Sequence, residues 1–191
     1  MKLKRFNFKT VNSTNNLARK IILNSKNKFG FVIAEKQNKG RGQYGKKWIS
    51  LKGNLFVSIF FPIYKLNLTL KQLTKINCLL VKKTISLFYK GNIVIKKPND
   101  LLINKKKISG ILQETFSKSD QKFIIIGIGL NLIKSPNIIN YPTINLLDLT
   151  NTKITTNYAG SKLIKIYEKY IPMLLKNNIK NNIKNMYKIL K

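Results

Sequence analysis

The residues able to do chemistry fall in three short segments. The first is Glu35-Lys-Gln-Asn-Lys-Gly-Arg-Gly-Gln-Tyr-Gly-Lys-Lys-Trp48. Its glycines at 40, 42 and 45 permit positive φ and close backbone approach to a ligand, and its Arg41 and Lys46 bring cations. Backbone N–H groups in such a loop can form an anion nest. No Gly-Lys-Ser/Thr ends it, as in a P-loop, and it does not open a helix, as a dinucleotide fingerprint does. A flexible surface loop has the same composition. The second segment is Lys96-Lys-Pro-Asn-Asp-Leu-Leu-Ile-Asn-Lys-Lys-Lys-Ile-Ser-Gly-Ile-Leu-Gln-Glu114. Pro98 fixes the backbone, and Asn99 and Asp100 can orient backbone groups or help hold a metal–phosphate unit. Lys107 enters a strand just before Gly110, which lets its ammonium point into a pocket facing that glycine. Lys105 and Lys106 read as a solvated hairpin tip, and for Lys107 that reading stays open too. The third segment is Phe123-Ile-Ile-Ile-Gly-Ile-Gly-Leu-Asn-Leu132. Glycines inside an apolar strand mark the close approach of a ligand or of another element. Asn131 carries a donor and an acceptor that suit a base edge.

These segments need elements to position them. Leu3 to Val11, Gly30 to Glu35, Asn54 to Pro62 and Asn92 to Lys96 read as strands. Ile108 to Phe116 and Lys122 to Leu132 read as two more, joined by the polar turn Ser117 to Gln121. Ser13 sits where an N-cap belongs, ahead of a helical stripe of Leu17, Ala18, Ile21 and Ile22. Leu68 to Tyr89 and Thr155 to Tyr170 carry helical periodicity, and residues 143–149 suit a short helix. Pro172 is expected to kink or interrupt the chain beyond Tyr170. Neighbouring strands with separated helices predict an α+β fold, with a mixed, mostly antiparallel sheet flanked by helices.

Composition removes several chemistries. The chain of 191 residues has no histidine and one cysteine, Cys78. A His-based triad, a Cys/His dyad, a Cys/His zinc site and an internal disulfide are therefore excluded from this chain alone. Lys+Arg number 37 against 6 Asp+Glu, for a net charge of +31. Only Arg5, Arg19 and Arg41 are arginine, whereas nucleic-acid readers favour arginine's planar fork. Lysine, asparagine and isoleucine all have A/T-rich codons, so we weight compositional drift above a selected polyanion surface. Against that background the scarce residues are informative. Seven of the ten glycines, the single tryptophan Trp48, and Asp100 and Glu114 all lie in or beside these segments. The longest apolar run, Phe123 to Ile133, falls short of the ~20 residues of a spanning helix. Met1 to Thr10 has no leader-like apolar stretch, so a cytoplasmic location without membrane contact is expected.

Four motifs, in order, resemble the biotin–protein ligase family over roughly residues 5–150. Ser13-Thr14-Asn15 is similar to that family's Ser-Thr-Asn element. Gly40-Arg41-Gly42-Gln43-Tyr44-Gly45-Lys46-Lys47-Trp48 resembles its Gly-Arg-Gly-Arg-x-Gly-Arg-x-Trp loop. Lys96-Lys97-Pro98-Asn99-Asp100, with Lys107-Ile108-Ser109-Gly110-Ile111-Leu112, resembles its Lys-Trp-Pro-Asn-Asp and Lys-Leu-Ala-Gly-Ile-Leu pair. Gly127-Ile128-Gly129-Leu130-Asn131 resembles its Gly-Ile-Gly-Ile-Asn strand.

The resemblance implies a catalytic domain of class II-synthetase-like fold that makes biotinyl-5′-AMP from biotin and MgATP. A carrier lysine then takes the biotin. It implies catalytic roles for Lys107, Arg41 and Asp100. It places Ser13, Thr14, Asn15, Gln37, Arg41, Gly42, Gln43, Lys107 and Gly110 around biotin. Arg41, Lys46, Trp48, Lys96, Asn99 and Asn131 would face ATP or the adenylate. No metal is fixed by the protein alone, and Mg²⁺ would arrive with ATP near Asp100. The implied partner is a biotin carboxyl carrier domain, with a homodimer left open. One catalytic domain is expected over residues 1–191, without a winged helix-turn-helix before it or a small β-domain after it, hence no operator binding. Gln43 and Lys97 depart from the family's Arg and Trp. Losing that arginine predicts weaker retention of the adenylate. The alternatives are a lipoate or octanoate ligase of the same fold and a basic RNA-binding protein. Octanoyl transfer needs a nucleophilic cysteine, and Cys78 lies on the apolar face of a predicted helix. An RNA binder needs exposed aromatics, whereas Phe6, Phe8, Phe56, Phe60 and Phe61 sit in apolar strands and read as core.

Overall fold

The β-branched and aromatic runs pair into one mixed sheet of seven strands in the computed structural model, which describes residues 1–63, 68–139 and 141–175. The chain runs β1 (Lys4–Val11), α1 (Thr14–Asn24), β2 (Gly30–Gln37), a 3₁₀ turn (Gln43–Gly45), β3 (Leu55–Pro62) and α2 (Leu70–Ile85). It continues through β4 (Val94–Lys96), β5 (Asp100–Ile103), β6 (Lys106–Lys118), β7 (Gln121–Leu130), α3 (Leu146–Thr150) and α4 (Thr156–Leu175). The strand order is β1-β2-β3-β7-β6-β5-β4. β1 pairs parallel with β2, and every other pair is antiparallel. The predicted α+β class and mostly antiparallel mixed sheet are what the chain adopts.

The sheet is covered unequally, and this makes the site. Strand side chains alternate between faces. On β7, Ile124, Ile126, Ile128 and Leu130 join the large core beneath α2 and α4. On the other face Phe123 and Ile125 join a smaller core with Ala18 and Ile22 of α1. The same face then continues as Gly127 and Gly129, with Asn131 just past the strand end. β6 pairs in register, with Leu112 opposite Gly127 and Gly110 opposite Gly129. β5 adds Asp100 opposite Gly110, and β3 adds Ser58 opposite Gly127. Thus α1 covers one end of this face, and the other end is floored by glycines and left open.

A buried polar line fastens the opposite face. Tyr167 of α4 donates to Asn77 Oδ1 of α2 at 3.2 Å, and Asn77 Nδ2 donates to Gln113 Oε1 of β6 at 2.9 Å. Buried polar groups satisfied in this way fix the relative placement of elements.

Three local expectations change. α2 is shorter than its periodicity, because Thr69 and Gln72 close a capping box at its start and the helix ends at Ser86. α4 continues through Pro172, since Ile171 and Leu174 on either side are buried and hold its apolar face down. Phe8 is exposed and Phe6 only partly buried, because β1 is an edge strand with α1 covering little of it. Among the described residues, no helix is long and apolar enough to cross a membrane.

Candidate active site

The open end of the sheet forms a cavity of about 460 Å³, within the usual range for small-molecule sites. Every site residue predicted from sequence lines it: Ser13, Thr14 and Asn15 from the start of α1, and Gln37 from the end of β2. The loop after β2 supplies Arg41, Gly42, Gln43, Lys46 and Trp48, while Lys96, Asn99, Asp100, Lys107, Gly110 and Asn131 come from the β4–β7 half.

One end of the cavity is a tight polar network. Thr14 donates to Gln37 Oε1 from its backbone N at 2.8 Å and from its hydroxyl at 3.1 Å, while Gln37 Nε2 donates to Ser50 Oγ at 3.1 Å. The amide of Gln37 is therefore held in one orientation. Ser13 is the N-cap residue of α1, yet its hydroxyl makes no capping bond. Asn15 accepts from Ser58 Oγ at 2.5 Å and donates to Glu114 Oε2 at 2.6 Å. It lies against Gly127, where a Cβ would collide with Asn15 Oδ1. That collision is the reason for a glycine inside this strand.

The middle is an aromatic wall. The indole of Trp48 lies over Gly129, where a Cβ would overlap the ring, and over Gly110, where a Cβ would stand 2.8 Å from Cζ3. The Trp48 Nε1 is buried without a hydrogen-bond partner. The loop that carries Trp48 is pinned at its base by Trp48 N donating to Gly40 O at 3.0 Å. Its tip turns through Tyr44 and Gly45 at φ 54 and 73, the left-handed region in which glycine is unstrained. Arg41 reaches back to Glu114, with Nη2 at 2.8 Å from both carboxylate oxygens. Glu114 thus links the loop to Asn15.

The far end is charged. Lys107 Nζ is 2.8 Å from Asp100 Oδ1, and Tyr141 donates to Asp100 Oδ2 at 2.5 Å. Lys107 Nζ also stands 5.3 Å from the Trp48 ring centroid and 5.1 Å from that of Tyr141, and Lys96 Nζ is 4.7 Å from the latter. Burial, and after it the hydrogen bond to Asp100, raises the Tyr141 hydroxyl well above the ordinary range, so it stays a donor. Lys107 faces Gly110, as its spacing allowed: a Cβ there would lie 3.2 Å from Nζ.

Two predicted residues hold backbone. Asn99 Nδ2 donates to Ile111 O at 2.7 Å. Asn131 is buried and its Nδ2 donates to Ile144 O at 3.1 Å, tying the segment after β7 to the cavity wall. Lys46 is exposed on the loop, and Lys97 is exposed beside Pro98. Three further residues were not legible as site residues. Asn54 accepts at Oδ1 from the backbone N of Leu132, Ile133 and Lys134 at 3.0–3.1 Å and shapes the exit of β7. Glu114 stood out as a scarce acid, but its partner was unreadable. Tyr141 comes after a polar stretch without periodicity. Cys78 is fully buried and its thiol is pushed up to about 12, first by burial and then by the charge of Asp100, so it is not a nucleophile.

The described residues contain no cluster of three or more acidic or sulfur groups able to cage a metal ion. Among them Asp100 is the one carboxylate lining the cavity, with Oδ1 in the ion pair to Lys107 and Oδ2 accepting from Tyr141.

A family model for the biotin/lipoate A/B protein ligase family matches residues 7–131. The bifunctional ligase/repressor BirA of Bacillus subtilis is 36% identical over 130 residues, which are 66% of this chain and 40% of that protein. A biotin–[acetyl-CoA-carboxylase] ligase of Paracoccus denitrificans is 31% identical over 109 residues, or 56% of this chain and 45% of that one. The chain thus spans less than half the length of these relatives. The biotin protein ligase of Aquifex aeolicus in complex with biotin and ATP superposes with a TM-score of 0.78 at 26% identity, covering 93% of this chain and 74% of that one.

Proposed function

The chain belongs to the biotin/lipoate A/B protein ligase family, and on that premise we propose that it is a biotin–protein ligase. In the first half-reaction a biotin carboxylate oxygen attacks the α-phosphorus of MgATP. The bond to pyrophosphate breaks and biotinyl-5′-AMP forms. In the second, the neutral ε-amine of a carrier lysine attacks the acyl carbon, the bond to AMP breaks and an amide is left.

The cavity's division into a polar end, an aromatic wall and a cationic end carries this reading. A ureido ring offers one carbonyl acceptor and two N–H donors. The Ser13 hydroxyl, unused in capping, and the fixed Gln37 amide match such a group. Biotin's thioether ring and alkyl chain suit the Trp48 wall. Its carboxylate would then reach Lys107, whose ammonium lies over Gly110, opposite Gly129 and about 7 Å along the face from Gly127 at ~3.3 Å per residue. At that end the task is to bring two anions together, the carboxylate and the α-phosphate. The attacking carboxylate is already ionised, so no base is needed, and a preorganised cation in a partly dry site lowers the barrier. Lys107 is that cation, and Asp100 holds it in place. Magnesium enters as MgATP and is part of the substrate. The unpartnered Trp48 N–H is a donor that a bound ligand would satisfy. The proton of the attacking amine is taken up by Asp100 or by water.

The test is incubation with biotin, MgATP and a biotin carboxyl carrier domain, read by intact mass. The expected result is a carrier heavier by one biotinyl group, dependent on both small molecules. A carrier of unchanged mass contradicts the reading. Modification by lipoate in place of biotin favours the other branch of the family.

A further inference from the structure

The segment after β7 reaches Lys107 by two independent routes. By backbone, residues 142–144 run parallel to it: Lys107 N donates to Pro142 O at 2.8 Å, and Lys107 O accepts from Ile144 N at 3.0 Å. By side chain, Tyr141 donates to the Asp100 oxygen that does not face Lys107, and its ring stands 5.1 Å from the Lys107 ammonium. Trp48 stands 5.3 Å from the same nitrogen. Lys107 is thus held by one carboxylate and two rings, and Tyr141 contacts both the carboxylate and the ammonium. The Tyr141 ring also lies 4.7 Å from Lys96 Nζ, so one π-system serves two ammonium groups. Repulsion between these like charges is offset by attraction to the ring quadrupole and to Asp100.

We propose that Tyr141 is a positioning residue. It locks Asp100 by one oxygen and closes an aromatic cage on Lys107, so that the ammonium points at the place where the acyl phosphate forms. The proposal deepens the ligase reading, on which its kinetic part rests. Free lysine side chains sample many rotamers, and ordering one before the reaction removes that cost from the barrier. The phenol contributes through its hydroxyl and through its ring, and the two parts are separable by substitution. Tyr141→Phe keeps the ring and loses the bond to Asp100. Tyr141→Leu loses both while keeping an apolar side chain on the segment.

Two measurements decide it. The first needs no turnover. Lysines of the folded protein are labelled with limiting acetic anhydride, and the modification of Lys107 relative to exposed Lys105 is read by peptide mass. The ratio is expected to rise about fivefold in Tyr141→Leu and by a smaller factor in Tyr141→Phe, because an uncaged amine is more accessible. The second is biotin-dependent ATP–pyrophosphate exchange. Here kcat is expected to fall about tenfold in Tyr141→Leu with the KM for biotin within about twofold, and Tyr141→Phe should lie between it and the parent. An unchanged labelling ratio in Tyr141→Leu overturns the cage. A parental kcat in that variant, or a loss seen only in KM, overturns the positioning role. A parent without exchange activity refutes the ligase reading, and the labelling ratio still decides the cage.

Discussion

At the scale of single residues, two of the cavity's cations are held in ion pairs. Arg41 is bound to Glu114 and Lys107 to Asp100, despite a surplus of lysine throughout the chain. Pairing fixes geometry, whereas an exposed pair adds little stability. Gln43 brings no charge at all. It lines the cavity at the loop tip, where the family motif has an arginine. Gln43→Arg is expected to slow release of biotinyl-AMP about tenfold, the usual size of one charge-assisted hydrogen bond. Rapid dilution of the preformed complex, then filter binding, would measure it, and an unchanged release rate would show that the missing cation has no consequence. Cys78 gives a pH prediction. Its thiol is neutral in the folded protein and ionises only near 12, against an ordinary value of 9.0. The unfolded chain therefore releases its proton first. The contribution to stability is complete below pH 9.0 and is lost as pH rises toward 12. Melting curves from about pH 8 to 11 should fall less steeply for Cys78→Ala than for the parent, since lysine and tyrosine titration is common to both. Parallel curves would contradict this.

At the scale of elements, the floor of the cavity is a pair of strands stripped of side chains. Gly127 and Gly129 accommodate Asn15 and Trp48, groups carried by α1 and by the loop after β2. Gly129→Ala forces the Trp48 ring aside and is expected to destabilise the fold by about 1–3 kcal/mol, as overpacking does. Because Trp48 also walls the site, biotin affinity should fall together with stability. Calorimetric titration and a thermal melt would read both, and a variant that keeps parental affinity would remove Trp48 from the proposed wall. The elements themselves were largely legible, since apolar runs and breakers marked six of the seven strands and the long helices. β5, from Asp100 to Ile103, read only as the approach to a hairpin tip. Asn54, Glu114 and Tyr141 were not legible, for a shared physical reason. Each acts on a partner far along the chain, and no local spacing encodes a contact such as Tyr141 with Asp100. Pro172 does not interrupt α4. The local rule was sound, but the buried faces of Ile171 and Leu174 outweighed it.

At the scale of the whole molecule, the charge of +31 far exceeds the few ion pairs, of which Arg41–Glu114 and Lys107–Asp100 lie at the cavity. The excess is a long-range field more than a recognition pattern. If the proposed carrier domain is acidic, that field accelerates encounter and is screened by salt over a Debye length of about 10 Å at 0.1 M. The second-order rate of carrier biotinylation should drop several-fold between about 0.02 and 0.2 M salt, with adenylate formation little changed. A salt-independent rate would assign the charge no part in carrier capture. The central claim is that Lys107, held over a glycine floor at the cationic end of this cavity, drives adenylation of biotin. The most direct measurement is ATP–pyrophosphate exchange by the parent protein and by Lys107→Ala. The account predicts exchange that requires biotin and falls by about 100-fold or more in the variant, the usual loss on removing a preorganised transition-state cation. Exchange that needs no biotin, or full activity without the Lys107 ammonium, would contradict it.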